Sequence, residues 1–227
     1  MLVGEDWLDG TIGGGALEFR AIEHARQMLI DGDAEKEISL LLGPALAQCC
    51  GGYVKLKLCL EPSGAQINEL VERAQATWPE LWLFGAGHVG TALIHVLAPL
   101  PVRVTWIDGR RKIFGLTEEK NILLRNEEPV PLAAHMPKDA ACLVMTHDHG
   151  LDLGILQAAL KNGHRGFLGL IGSASKKARF AKQLRAQGLD PERVTCPIGL
   201  PAIAGKQPAV IATSVAAQLL ALFESRV

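Results

Sequence analysis

Several short stretches of this chain have residue types and spacings that could do chemistry. "QCCGG" sets Cys49 and Cys50 side by side and follows them at once with Gly51 and Gly52. Neighbouring thiols admit four readings: a disulfide, a metal site, a reactive pair, or small apolar filler. The thiolate is the form that attacks or ligates, whereas a buried free thiol behaves as a small hydrophobe. Both sulfurs reach one centre only where the backbone turns, which Gly51 and Gly52 permit. A bridge between neighbours is strained, and no second Cys pair is spaced to complete a zinc site.

"FGAGHVG" follows an apolar run and opens a helical pattern. It fits G-x-G-x-x-G with Gly85, Gly87 and Gly90. Gly85 allows the tight turn, Gly87 lets a phosphate approach the backbone, and Gly90 lets helix and sheet pack closely. Free N–H groups and the helix dipole favour an anion there. His88 lies inside the turn, where it could touch a ligand or cap the helix. Asp108 ends the next strand pattern, 18 residues after Gly90, where an acidic residue meets a ribose hydroxyl in dinucleotide folds.

"THDHGLD" brings His147, Asp148, His149 and Asp152 to the end of another strand. Such a loop could bind a metal or handle protons, or could be polar with an Asp capping the next helix. "GLIGSASKKARF" places Gly172 and Ser173 at a further strand-to-helix turn, with Lys176, Lys177 and Arg179 in or near the first helical turns. Cations there oppose the helix dipole, so they call for an anionic partner or form a solvated basic face. "CPIGL" fixes an extended turn through Cys196-Pro197. Cys59 and Cys142 fall within strand patterns, and Cys142 is expected in the core.

The elements that must position these groups follow from periodicity. A helix is expected over Leu17, Ile22, Ala25, Met28 and Leu29, ending at "DGD". "YVKLKLCL" alternates, with Val54, Leu56, Leu58 and Leu60 on one face and Lys55, Lys57 and Cys59 on the other. That predicts a half-buried antiparallel strand. Ser63 caps a short helix reaching Ala76, and "TWPE" reads as a boundary. From Leu81 onward strands and helices alternate, and a last helix runs from near Gln207-Pro208 to about Glu224. The expected fold is α/β: a small N-terminal α+β domain over 1–76, then a Rossmann-like parallel-sheet domain over 80–227.

Bulk properties narrow the function. The 227 residues are 48% hydrophobic and 21% charged, the proportions of a globular protein with a substantial core. A net charge of -1 and 5% aromatics argue against a nucleic-acid surface. No apolar run has the length of a membrane span, and no secretory signal pattern opens the chain. An odd count of 5 Cys argues against a disulfide framework, so the expectation is a cytoplasmic protein with reduced thiols.

Taken together, "GTIGGGALE", "QCCGG", "FGAGHVG", "THDHGLDL", "GLIGS", "CPIGL" and the closing "PAVIATSVAAQLL" resemble the XdhC/CoxI family of accessory proteins for molybdenum hydroxylases. They stand in the family's order and cover nearly the whole chain. The resemblance implies a chaperone rather than a turnover enzyme. It would bind the molybdenum cofactor, a molybdopterin with a terminal phosphate. It would hold that cofactor while a NifS-like cysteine desulfurase supplies the sulfido ligand, then deliver it to an apo hydroxylase of the xanthine dehydrogenase type. A homodimer is expected. The implied cofactor-binding residues are Cys49, Cys50, Gly51, Gly52, Gly85, Gly87, His88, Gly90, Asp108, His147, Asp148, His149, Gly172 and Ser173, with Cys49 and Cys50 the candidates to face molybdenum.

The family pattern also carries an earlier helix and strand with a Gly-Ser-x-Pro-Arg segment, so the first domain is expected to be truncated at its start. Two further departures are Ala174, where Arg is usual, and the lack of a Glu near Val210. Two other readings stay open. One is an NAD(P)-binding oxidoreductase using the glycine turn and Asp108, with His147 or His149 as acid–base group. The other is a metal-binding protein using the His147–Asp152 loop.

Overall fold

The computed structural model describes residues 1–42, 52–110, 112–114 and 119–225. The chain divides into two compact units, Met1–Val71 and Glu72–Val227.

In the first unit, β1 (Leu2–Val3) pairs antiparallel with β2 (Leu8–Asp9) and precedes α1 (Gly15–Asp31). The start of α1 is organised by Glu18. Its carboxylate accepts the Thr11 hydroxyl, the Ile12 N–H at 2.9 Å and the Gly14 N–H at 3.1 Å. The Thr11 hydroxyl, followed by those two N–H groups, holds the Glu18 carboxyl below the ordinary range. Gly32, in the left-handed conformation, closes the helix by donating to Met28 O.

Next, β3 (Glu35–Leu42) pairs antiparallel with β4 (Gly52–Cys59). The alternation expected for β4 is present: Val54, Leu56 and Leu58 are half-buried, while Lys55, Lys57 and Cys59 are exposed. Helix α2 (Gly64–Gln75) starts with a reciprocal capping box. Ser63 Oγ accepts the Gln66 N–H at 3.2 Å, and Gln66 Oε1 accepts the Ser63 N–H at 2.8 Å.

The second unit is a six-stranded, all-parallel sheet. In chain order its elements are β5 (Glu80–Phe84), α3 (His88–Leu97), β6 (Arg103–Ile107), β7 (Ile122–Arg125), α4 (Pro129–His135), β8 (Ala141–Val144), α5 (His149–Lys161), β9 (Leu168–Leu170), α6 (Ala174–Arg185), a 3-10 turn (Pro191–Arg193), β10 (Val194–Thr195) and α7 (Pro208–Glu224). The spatial order is β10-β9-β8-β5-β6-β7, every pair parallel. Counted from β5, this is the doubly wound order 6-5-4-1-2-3. The direction of winding reverses between β5 and β8, and such sheets bind ligands at that point, beyond the carboxyl ends of the strands.

Period-two burial explains why both faces are covered. Leu81, Leu83, Val104, Trp106 and Leu143 pack with Leu93 and Leu97 of α3 and Val215 and Leu219 of α7. Phe84, Ile107, Cys142 and Val144 pack on the opposite face with Ile155 and Leu156 of α5 and Phe180 and Leu184 of α6. Strands buried on both faces read as continuous apolar runs, as "LWLF" and "ACLV" do. The expected elements from residue 80 onward are present, and α7 ends at Glu224. Sequence periodicity gave no sign of β7 or α4. β7 is only four residues long, and α4 is seven residues that include Pro129 and Pro131, which its first turn tolerates because those N–H groups have no helical partner.

Candidate functional site

The predicted site residues of the second unit line the carboxyl-terminal edge of the sheet. They are tied together by polar contacts that run from β6 to β10. The glycine turn stands at the centre. Gly85 has φ +116°, and a Cβ there would lie 2.3 Å from Met145 O, so the turns after β5 and β8 touch backbone to backbone. A Cβ on Gly90 would lie 2.3 Å from Gly85 O. Gly85 N donates to Ile107 O at 2.8 Å, and Trp106 Nε1 donates to Gly85 O at 3.0 Å, which fixes the turn to β6. Gly87 differs from both. A Cβ there would meet nothing within 4 Å. Packing requires glycine at 85 and 90, and the space over 87 is open.

Helix α3 begins beside that space. Gly87 is its N-cap and supplies no side-chain cap, and the first intrahelical bond runs from Thr91 N to Gly87 O at 2.8 Å. The N–H groups of the first turn therefore lack intrahelical acceptors, the arrangement that attracts anions. The neighbouring helix starts are different. Asp148 caps α5 by accepting the Leu151 N–H at 2.7 Å, and Ser173 caps α6 by accepting the Lys176 N–H at 3.3 Å. The Leu151 N–H is the chief reason the Asp148 carboxyl sits below its ordinary range. His88 is exposed at the first position of α3.

Asp108 is only 4% exposed. Its Oδ2 accepts the Ala86 N–H at 2.8 Å and Arg110 Nη2 at 2.7 Å; its Oδ1 accepts the Arg110 N–H at 3.0 Å and Arg110 Nε at 2.9 Å. Burial pushes the carboxyl up, but the Arg110 fork and the two N–H groups more than offset it, so Asp108 is held below the ordinary range. Asn126 Nδ2 donates to Asp108 O at 2.7 Å and Arg110 O at 2.8 Å, clamping the loop. A ribose hydroxyl could reach Asp108 only by displacing part of this set.

The other side of the turn is held by Asp152, which is fully buried. Its Oδ1 accepts the Thr146 N–H at 3.0 Å and the Thr146 hydroxyl at 2.7 Å, and its Oδ2 accepts Lys176 Nζ at 2.6 Å. Lys176 also donates to Ile171 O at 2.9 Å. Lys176 is thus not part of a solvated basic face: its side chain turns inward, its anionic partner is the Asp152 carboxylate of the chain itself, and the pair latches the loop after β8 to the loop after β9. Lysine in a first helical turn opposes the dipole, and its internal carboxylate resolves the conflict.

His147, Asp148 and His149 are exposed. His149 Nδ1 accepts Arg179 Nη2 at 2.8 Å, and the Arg179 guanidinium lies 5.4 Å from the centre of the Phe180 ring. Among the described residues no group of three or more His, Cys, Asp or Glu could hold a metal ion. Cys196 is buried, with its Sγ 3.8 Å from Ser173 O; burial raises its thiol and the nearby Lys176 and Lys177 partly counter that. Cys142 is fully buried, and burial pushes its thiol far up, so it serves the core. Gly52 opens β4 with φ +118° and open space around it. Cys49, Cys50 and Gly51 lie outside the described residues. A cavity of about 460 Å³ between α4 and α5, lined by residues including Val130, Gly154 and Lys161, gathers none of the predicted site residues. The sequence offered little sign of Arg110 or Asn126, whose roles come from loop geometry.

Three outcomes follow from this geometry. Gly85→Ala should lower stability by roughly 2–4 kcal/mol, through the positive φ and the Met145 carbonyl, while Gly87→Ala should unfold within about 0.5–1 kcal/mol of wild type in urea. Removing either partner of the Asp152–Lys176 pair by alanine should cost about 3–5 kcal/mol in the same measurement, because an uncompensated charge stays buried. The depressed carboxyl of Asp108 contributes stability above its unfolded value of roughly 3.9, and that contribution is lost as pH falls through the lower folded value. Asp108→Asn should therefore show a shallower acid limb than wild type in a pH series of denaturation midpoints.

Residues 81–219 match the family described as the XdhC Rossmann domain. No curated protein matches the chain. Among solved structures, one described as a xanthine dehydrogenase from Bacillus halodurans is similar at a TM-score of 0.57 and 20% identity, over 92% of this chain and 65% of that one. The chain thus spans 65% of that protein's length, and the likeness is one of fold. A Rossmann-fold NAD(P)-binding family protein from Shigella flexneri is similar at a TM-score of 0.42 and 16% identity, over 65% of this chain and 87% of that one. An imine reductase from Myxococcus stipitatus in complex with NAD+ is similar at 0.36 and 15%, over 66% and 61%. Scores that low establish neither ligand nor chemistry.

Proposed function

The chain belongs to the XdhC family, whose Rossmann domain it carries over residues 81–219, and we propose that it is an accessory protein to a xanthine dehydrogenase-type molybdenum hydroxylase. In this reading it binds the molybdenum cofactor, protects it during sulfuration by a cysteine desulfurase, and delivers it to the apo enzyme. The observation that carries the proposal is the start of α3. Open space over Gly87 meets an uncapped helical turn at the point where the winding of the sheet reverses. A terminal phosphate fits such a place, because it supplies the acceptors those N–H groups lack and is favoured by the dipole.

When bound, the cofactor supplies the molybdenum and its exchangeable sulfido ligand. The residues of the chain bind and orient. The N–H groups of the first turn of α3 take the phosphate, and His88 stands beside them. The Asp152–Lys176 latch keeps the loops after β8 and β9 at a fixed separation, so the exposed His147 and His149 stay at the rim. Cys49 and Cys50 are the thiols proposed to approach the metal; a thiolate is the form that does so. No turnover of its own is needed for this role.

The test is to isolate the full chain from a molybdenum-fed host and identify co-purified ligand by mass spectrometry and absorbance. A phosphorylated pterin is expected with wild type, and at least about tenfold less with Gly87→Glu, which places negative charge against the phosphate. Cys49→Ala and Cys50→Ala, tested separately, should keep the pterin, and at least one should fail to support maturation of a hydroxylase. Absence of pterin after reconstitution, with the hydroxylase maturing normally without this protein, overturns the proposal.

A further inference from the structure

In a doubly wound dinucleotide fold, the acidic residue that ends the second strand reads the ribose diol. Here that residue is Asp108, and its acceptors are already engaged. A carboxylate offers about four acceptor positions. Ala86 N–H, Arg110 N–H, Arg110 Nε and Arg110 Nη2 occupy them at 2.8, 3.0, 2.9 and 2.7 Å. Because Oδ2 bonds to both Ala86 and Arg110, the guanidinium stands directly beside the glycine turn. Its backbone is fixed as well, since Asn126 Nδ2 holds the carbonyls of Asp108 and Arg110. Even so, the Arg110 side chain is 36% exposed, whereas that of Asp108 is 5% exposed. Nη1 takes no part in the fork. The edge thus presents to solvent a pre-positioned cation in place of a free carboxylate.

We propose that Arg110 is the specificity-determining residue of this edge, selecting ligands that carry a phosphate group beside the glycine turn and rejecting those that offer only a ribose diol there. A guanidinium fork suits phosphate geometry, and a fork held by a buried carboxylate has already lost much of its rotamer freedom. A diol, by contrast, would have to break part of the Asp108–Arg110 set before it could bind. The phosphate could come from either of two sources: a 2′-phosphate on an adenosine ribose, or the phosphate of a pterin. This selection concerns the site described under the proposed function, but it is read by direct binding, with no hydroxylase or desulfurase present, so it can fail or succeed independently of the accessory role.

The experiment is titration of the full chain and its Arg110→Ala and Arg110→Lys variants with three fluorescent probes: NADPH, NADH and 6-hydroxymethylpterin monophosphate. If the source is a nucleotide, wild type should bind NADPH at least about tenfold more tightly than NADH, matching the loss of one charged, bidentate contact. Arg110→Ala should invert that order, because it frees acceptors on Asp108, and Arg110→Lys should fall between. If the source is a pterin, the pterin phosphate should bind wild type and weaken at least about tenfold in Arg110→Ala, with neither nucleotide binding. That result keeps the phosphate reading and assigns it to the cofactor, whereas the first assigns it away from the cofactor. A merely structural loss would weaken all probes together and leave their ratios unchanged, and where the pterin phosphate is the one probe bound it would lower the urea midpoint of Arg110→Ala and leave Arg110→Lys no tighter than Arg110→Ala. Unchanged ratios, NADH binding as tightly as NADPH to wild type, or no binding of any probe would each overturn the proposal.

Discussion

The second unit depends on one close approach. The backbone of Gly85 lies so near the Met145 carbonyl that a Cβ would come within 2.3 Å of that oxygen. Only a residue without a side chain lets the turn after β5 fold against the turn after β8. That contact lies where the winding of the sheet reverses, and the rest of the edge is built outward from it. Gly90 tucks α3 under the same turn, and Trp106 ties the turn to β6. Substitution here does more than remove a contact, because it forces apart the two central strands of a sheet whose neighbours take their register from them.

Two buried carboxylates then brace the turn from opposite sides. Asp108 lies just beyond the end of β6 and Asp152 in the first turn of α5, and both are satisfied internally. One joins the glycine turn to the arginine that follows β6, and the other joins the loop after β8 to the lysine of α6. Buried charge is tolerated only when it is paired and hydrogen-bonded, so each carboxylate fixes the loops it touches. The asymmetry among helix starts comes from the same economy of partners. α5 and α6 are capped by Asp148 and Ser173, whereas α3 starts without a side-chain cap, so a ligand there can supply missing acceptors. Anion capacity therefore coincides with the open space over Gly87.

Much of this architecture could be read from residue patterns. The alternation in "YVKLKLCL" identified β4, and the apolar runs "LWLF" and "ACLV" identified strands covered on both faces. The glycine spacing gave the turn and the helix after it. Sequence gave no account of the use made of polar side chains. Asp108 stands where a ribose would be read, and in the folded chain Arg110 lies back onto it. Lys176 looks like a ligand contact because it opposes a helix dipole, yet its partner is a carboxylate 24 residues earlier. The reason is physical. Periodicity reports which face of an element is buried, whereas a hydrogen bond between loops depends on how separate elements converge. β7 and α4 were hidden for another reason: a four-residue strand and a proline-containing helix of seven residues carry too little period to register.

The strand order has a consequence for the order of assembly. The hairpin of β3 and β4 and the pair β5–β6 join segments close in sequence. The central pair β5–β8 joins Leu81 to Ala141 and Phe84 to Val144. Some sixty residues, including β6, β7 and α4, must be accommodated before the two middle strands meet, and the entropy of closing that loop precedes any return from the contact. On a growing chain the glycine turn is made early but has no wall to fold against until Met145 has been added. The anion-receptive start of α3 therefore cannot be completed until β5, β6, β7 and β8 have all been synthesised.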